Sequence, residues 1–502
     1  IGGLIGLFER KYKHAFVLRN SEEARDVLGY HTNPLWYGWD VLDGFFKNIS
    51  GVNGSIYVYS HVGYTGSAYD GVAATANLAD TAPATTLQLD SGYMTYTDYS
   101  VSGNRTGYTV TNGARFTTAA NGSGTKDDLF VVLDSIAGVV VGDVMKFSAT
   151  AGGGATVYKK ITSVDYATGK VFFSAAFHAS ANMADNDVAT VMGFRIRTWR
   201  KSSAGIVSEV DTDLGRIYCT MEPEVSDYYV VNVFKNSKFL IVTDKASATG
   251  VGIDFPVDVT TVTYLASGAD GTAPTTAAHY SADYAYFDNL PVRMIALSDT
   301  TLAATNQALE VYCRARWDNP KVIYNITSNQ SKTQLVTIGN SFQRADDVLG
   351  VIQEKWYYVD DPFTNSAYAP YRSVPSVGHV MGAWVRCIGT LGIHYVPATV
   401  NTPILGIRGI VGTEFIDAMD RTDLAEAGIN TTVLQTGSGY LMKSFFTPST
   451  TKEFQFGNGI LMREYIKVSV RDSMLVNHNE PNSLKRIQNA SMSVWNFFHR
   501  LW

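Results

Sequence analysis

VPSVGHVMGAWVRC (residues 374–387), GIHYVPATVNTPILGIRGI (392–410) and DRTDLAEAGINTTVL (420–434) follow one another with only short gaps. The third segment predicts a helix over 420–427 that ends at Gly428, because glycine suits the position just past a helix end. Strand-like residues 431–434 come next. The second segment holds an apolar run at 404–411 that reads as a strand. Two further strand-like and alternating stretches, 439–446 and 462–477, and a helix capped by Ser483 complete the C-terminal part. That last helix carries Leu484, Ile487, Val494, Trp495, Phe498 and Leu501 on one stripe.

Working back toward the N-terminus, residues 276–400 alternate between short strands and helices. Strands are expected at 291–297, 321–324 and 355–359, the last running into Asp360-Asp361-Pro362. Helices are expected from a Thr300 cap to about residue 316, at 330–339 and at 346–352. This succession implies a parallel or mixed sheet with helices on its faces. Residues 1–62 read the same way. Apolar runs occupy 3–8 and 15–18, and Asn20 precedes SEEARDVLG with Glu23 at capping-box spacing and Gly29 at the helix end. An aromatic helix follows over 34–47, with Leu35, Trp36, Trp39, Leu42, Phe45 and Phe46 on one face, and then a strand at 55–60.

Between these parts, residues 63–275 lose helical periodicity. Gly, Thr, Ser, Ala and Asp separate short β runs at 128–133, 138–148, 157–164, 170–174, 194–200, 216–221 and 238–243, and the ATGK turn at 167–170 suits a hairpin. One or two β modules inserted into an α/β core account for this pattern. The glycine-rich AGGGAT at 151–156 reads as a loop tip. A phosphate cradle would need a following Lys-Ser/Thr at a helix start, which is absent.

The chain has 502 residues, 45% of them apolar and only 17% charged, with a net charge of −6. That length accommodates about two to four domains. The charge balance points to neither a nucleic-acid binder nor a membrane-surface binder. Cys219, Cys313 and Cys387 form no C-x-x-C, so reduced, mostly buried thiols are expected. Apolar runs fall short of the roughly 18–20 residues that span a bilayer. The first segment places its charges after its apolar part, unlike a secretory signal, so synthesis in the cytoplasm is expected.

The order P-x-x-G-H-V-x-G, apolar P-A…G-I, then L-x-x-A-G-I-N resembles the closing core of contractile tail sheath proteins from bacteriophages and related injection machines. The resemblance extends to Phe45-Phe46-Lys47-Asn48 followed by Ile56-Tyr57-Val58, and to the β-α-β array from about Phe287 to Asp361. It implies an α/β core, a mixed sheet flanked by helices, built from the N- and C-terminal parts with inserted all-β domains. The expected division is 1–62 and 276–400 as core, 63–275 as an outward-facing β-rich insert, and 401–502 as the tube-proximal part. It further implies a virion structural subunit that is no enzyme and holds no cofactor or metal. Its partners would be further copies of itself in stacked hexameric rings, the tail tube protein, and baseplate and tail terminator proteins, with neither nucleic acid nor membrane. The family carries terminal arms before the position of Ile1 and after residues 483–502, so the resemblance implies a partial chain. It also places a helix at 463–478, where alternation alone predicts a strand; the helix is the expectation adopted. Arg463, Lys467 and Arg471 share one face of that helix and are the candidates for contact with acidic residues of the tube.

No G-x-S-x-G, G-x-x-x-x-G-K-[ST], H-E-x-x-H or EF-hand loop occurs. His379, in the G-H-V motif, is expected at a helix start with its ring bonded to backbone, not as a catalytic base. Asp360 and Asp361 are expected to bond local N–H groups in a turn. The abundant aromatic residues fall mostly at periodic core positions and are read as packing, not as a sugar-binding surface. Two other classes compete with the sheath reading: an α/β enzyme with a β-rich accessory domain, which needs a polar cleft at the strand C-termini, and a static virion component.

Overall fold

The computed structural model describes the chain apart from residues 30–32, 66–67, 80–84, 122–124, 126, 203, 246–254, 346–347, 364–369, 475–482 and 502. Two compact units emerge. Ile1–Glu9, His14–His61 and Ala273–Trp502 form the first, and Arg10–Lys13 with Val62–Thr272 the second.

The first unit is built on a seven-stranded sheet. Its strands are β1 (Gly2–Gly6), β2 (Ala15–Leu18), β3 (Ile56–Ser60), β4 (Met294–Leu297), β5 (Lys321–Tyr324), β6 (Gly350–Gln353) and β7 (Ile429–Asn430), in the order β2-β3-β1-β4-β5-β6-β7. All neighbours pair parallel except β2 with β3. The sequences GGLIG, MIAL, KVIY and GVIQ are buried at every position, as parallel strands covered on both faces must be. Ile5, Ile295, Leu297, Val322 and Ile352 meet Leu309 and Leu335 in one core.

The helices of this unit are α1 (Ser21–Leu28), α2 (Gly38–Asn48), α3 (Ala277–Tyr284), α4 (Ala303–Ala315), α5 (Lys332–Phe342), α6 (Val377–Leu391), α7 (Ala418–Glu426), α8 (Gly457–Met474) and α9 (Leu484–Leu501). α4 and α5 are the crossovers of the β4–β5 and β5–β6 units. Asn20 caps α1 by accepting the Glu23 N–H at 2.8 Å, and Ser331 with Gln334 closes a capping box on α5. The alternating stretch after residue 460 is helical in α8, as the resemblance implies and contrary to its period.

Several expectations are corrected. The 346–352 stretch is not a helix: Gly350–Gln353 is β6, an interior strand beside the edge strand β7, while residues 346–347 lie outside the described ones. Four buried residues in a row carry no period that separates strand from helix. The aromatic helix starts at Gly38, not Pro34, and Leu35 stands exposed ahead of it. The 404–411 run pairs only at Gly409–Ile410 and through an isolated bridge from Ile404 to Tyr440. At 216–221 a 3-10 turn ends, and the stretch pairs only through isolated bridges, Cys219 with Phe194 and Thr220 with Tyr229. Thr300 accepts the N–H of Leu302 at 3.4 Å, a turn before α4 instead of a cap on it.

The second unit is β-rich. Its largest sheet orders Ala155–Lys160, Val144–Ala149, Val188–Lys201, Thr106–Ala119 and Val259–Tyr264, with Val207–Val210 also paired to Val188–Lys201. A second sheet joins Leu240–Asp244, Thr85–Tyr93 and Thr75–Ala79. Two cores fill the unit, one around Leu87, Leu89, Phe194 and Phe234, the other around Val131, Phe147, Phe173 and Phe177. The ATGK turn closes an antiparallel hairpin between Ser163–Asp165 and Lys170–Phe172, with Gly169 at φ +70°. The architecture is thus an α/β core made from both ends of the chain with β-rich insertion.

Candidate functional site

The G-H-V-M-G stretch lies on α6 where that helix crosses α2. A Cβ on Gly382 would stand 2.6 Å from the carbonyl oxygen of Phe45, and one on Gly378 would come closer still to that of Val41. The two glycines, one turn apart, therefore let the helix backbones touch. His379 sits between them in sequence, and its ring fills the space above Gly44, where a Cβ would collide with Nδ1 and Cε1. The ring is 1% exposed and packs edge-on to Tyr357 at 5.4 Å between centroids. Neither ring nitrogen has a hydrogen-bond partner among the described residues. The expected backbone bond is absent because the helix-crossing surface here is glycine and aromatic carbon. Burial, and secondarily the charge of Lys47, lowers its pKa to about 3. The motif histidine is a neutral packing element.

The A-G-I-N motif has an equally structural part. Asn430 is fully buried in β7. Its Nδ2 donates to the carbonyls of Ile352 at 3.0 Å and Phe446 at 2.9 Å, and its Oδ1 accepts the Phe446 N–H at 2.6 Å. One side chain thus ties the sheet edge to the following chain. Next to it, Thr432 receives Gln353 Nε2 at 2.7 Å, pairs with the Tyr357 hydroxyl at 2.9 Å and donates its N–H to Glu354 at 2.8 Å. Burial raises the Glu354 carboxyl to about 8 and lowers Lys355.

An α/β enzyme would use the crevice at the carboxyl ends of β1 and β4, where the strand order reverses. Asp299 and the His61–Asp283 pair stand at that end of the sheet. Asp299, just past β4, accepts the N–H of Leu7 at 2.8 Å and of Tyr37 at 2.6 Å, and also the Ser298 hydroxyl. At the end of β3, His61 Nδ1 pairs with Asp283 on α3; both residues are buried completely. Burial raises both aspartate carboxyls, and His61 pulls Asp283 back down. His61 Nδ1 and the Asp299 carboxyl are thus engaged within the unit, while His61 Nε2 is buried without a hydrogen-bond partner among the described residues. A cavity of about 780 Å³ opens instead at the amino ends of β4 and β5, lined by Met294, Lys321, Val385, Ile388, Leu461 and Glu464. Among the described residues no three His, Cys, Asp or Glu side chains gather as a metal site, and no helix is long and apolar enough to cross a membrane.

Asp361 accepts the Phe363 N–H at 2.9 Å, as a turn carboxylate should, whereas Asp360 instead takes Arg408 bidentately at 2.9 and 3.0 Å. Arg463, Lys467 and Arg471 lie along α8 in one row. Arg463 Nη2 bonds Glu464 at 2.6 Å, and Lys467 Nζ reaches Asn319 at 2.7 Å and Glu464 at 3.3 Å. The Arg471 guanidinium stands 3.6 Å from the Trp317 ring centroid. Glu464, Asn319 and Trp317 were not read from sequence as part of this row. Only Glu464 is near in sequence, and its burial is invisible there.

No protein-family model matches the sequence, and no curated protein does. Among solved structures, the chain has fold-level likeness to chains of contractile injection systems. One is from the anti-feeding prophage baseplate, at 14% identity and TM-score 0.37, covering 47% of this chain and 62% of that one. Another is from the sheath complex of the extracellular contractile injection system PVC in its contracted state, at 10% identity, TM-score 0.36, and 44% and 59% coverage. A third is from the anti-feeding prophage helical sheath in its contracted state, at 14% identity, TM-score 0.36, and 46% and 61% coverage. The chain spans less than two thirds of each of these proteins.

Proposed function

We propose that this chain is the structural subunit of a contractile tail sheath, polymerising as a helical tube around a tail tube and shortening to drive it through an envelope. The observation that carries this reading is the use made of the motif residues. Gly378, His379 and Gly382 are consumed in a backbone-to-backbone helix crossing, and Asn430 in locking the sheet edge. Residues that a catalytic protein would keep accessible are here sealed inside the core. A lattice subunit that must move as a rigid body has reason to spend them so. The work would come from heterologous contacts that propagate along a helix, with the extended lattice trapped above the contracted one in free energy. Further copies of the chain, a tube protein, and baseplate and terminator proteins would be its partners, and the virion its location.

Negative-stain imaging of the expressed full-length protein tests this. Hollow striated tubes are the expected result. A protein that stays monomeric at high concentration and turns over a small molecule would replace the reading with that of an α/β enzyme.

A further inference from the structure

The cavity of about 780 Å³ at the amino ends of β4 and β5 lies within the α/β unit and has a mostly apolar wall. Met294 and Lys321, cross-strand neighbours at the starts of β4 and β5, line it from the sheet. Val385 and Ile388 line it from α6, and Leu461 and Tyr465 from α8. A recess of this size and lining takes a small organic ligand.

The polar groups of the lining are few, and most are engaged. Asp318 is held by Arg316 through two bonds of 2.8 Å. Glu464 accepts from Arg463 at 2.6 Å and from Lys467 at 3.3 Å, and Asn319 accepts from Lys467 at 2.7 Å. His394 is exposed, with its ring against that of Tyr395. Arg293 differs. It is half-buried, and among the described residues no hydrogen bond or ion pair engages its guanidinium. Lys321, whose N–H bonds the Arg293 carbonyl at 2.8 Å, is 2% exposed. The lining and its ion-pair partners thus set five cations, Arg293, Arg316, Lys321, Arg463 and Lys467, against two carboxylates, Asp318 and Glu464.

We propose that this cavity binds a linear alkyl carboxylate, with the carboxylate on the Arg293 fork and the alkyl chain along Met294, Val385, Ile388 and Leu461. A guanidinium with unspent donors matches a planar anion that accepts two parallel bonds. The excess of positive charge turns away an alkylamine. An alkyl chain brings no further polar group to satisfy. A peptide would bury amides beside polar groups that are already engaged, and unpaired amides are costly. The inference stands on the α/β unit alone and assigns a ligand that the sheath reading does not supply.

The test is calorimetric titration of the purified full chain with decanoate below its micelle concentration, decylamine, and an acetylated apolar pentapeptide with a free carboxylate. Saturable one-to-one binding of decanoate is expected, with weak or no binding of the other two. Arg293→Gln, which removes the charged fork, and Ile388→Phe, which narrows the cavity, should each weaken decanoate by about tenfold or more. Lys201→Gln, on the β-rich unit, should bind like the parent. Near-UV circular dichroism establishes that each variant is folded. Absence of saturable decanoate binding, parental affinity in Arg293→Gln, or an equal loss in Lys201→Gln overturns the proposal. Decylamine binding as tight as decanoate binding overturns it too, and tighter binding of the pentapeptide overturns it by assigning the cavity to a polypeptide segment.

Discussion

The imidazole of His379 occupies the volume that Gly44 leaves open on the facing helix, with no hydrogen bond to either ring nitrogen among the described residues. Adding one methyl group at Gly44 must push that ring aside or part the helices. Overpacking of this kind costs about 1–3 kcal/mol. Gly44→Ala should lower the urea midpoint accordingly, and combining it with His379→Ala should restore part of the loss. Equal midpoints for Gly44→Ala and the parent would show that the crossing is loose.

The same burial sets a pH dependence. His379 titrates at about 3 when folded against an ordinary 6.5. Between those values the unfolded chain holds the extra proton, so stability is greatest above pH 6.5 and falls as pH drops toward 3. The slope from one group is about 1.4 kcal/mol per pH unit. Urea titrations at pH 6.5 and 5 should show the parent losing about 2 kcal/mol more than His379→Leu. Parallel losses would mean that the ring finds a proton acceptor in the native state.

Much of this core was legible before any coordinates. The apolar run MIAL and the short KVIY, set between helical stretches, are readable as strands of a parallel or mixed sheet, and Asn20 marks a helix start through a short-range bond that sequence spacing defines. What stayed hidden depends on partners far along the chain. GVIQ could not be told from a helix because its strand character comes from pairing with β5 and β7. His379 was expected to bond backbone because sequence does not disclose that its neighbour across the helix crossing is Gly44. The row on α8 was visible as a spacing, but the Trp317 ring beneath Arg471 was not.

Asn430 makes three hydrogen bonds from full burial. Asn430→Ala removes all three and leaves two carbonyls and an N–H to find other partners, at about 1–3 kcal/mol for each group left unsatisfied. Asn430→Asp is the sharper variant, because it sets a carboxylate oxygen against the carbonyls of Ile352 and Phe446. It should destabilise at least as much as alanine at pH 7 and recover when the carboxyl is protonated at low pH. A thermal melt for Asn430→Asp that matches the parent at neutral pH would rule out the bridging role.

Asp299 offers the corresponding test at the carboxyl end of β4. It holds the chain leaving β1 and the chain entering α2 through the N–H groups of Leu7 and Tyr37. Asp299→Ala strands both donors, again about 1–3 kcal/mol each. Hydrogen exchange at those two amides should accelerate in the variant before global unfolding does. Unchanged protection at both would mean that the crevice is closed by other contacts.

Charge reversal on α8 separates the proposed tube contact from a merely solvated face. Lys467 and Arg471 are already engaged within the chain, by Asn319 and Glu464 and by the Trp317 ring. Losing an exposed cation–π contact costs only about 0.5–1 kcal/mol, so Lys467→Glu with Arg471→Glu should still fold. If the row meets an acidic tube, the variant should lose assembly on the tube while remaining able to self-associate, and raising salt should weaken the parent in the same direction. Tube decoration by the double variant at parental levels would return Arg463, Lys467 and Arg471 to the status of a solvated helix face.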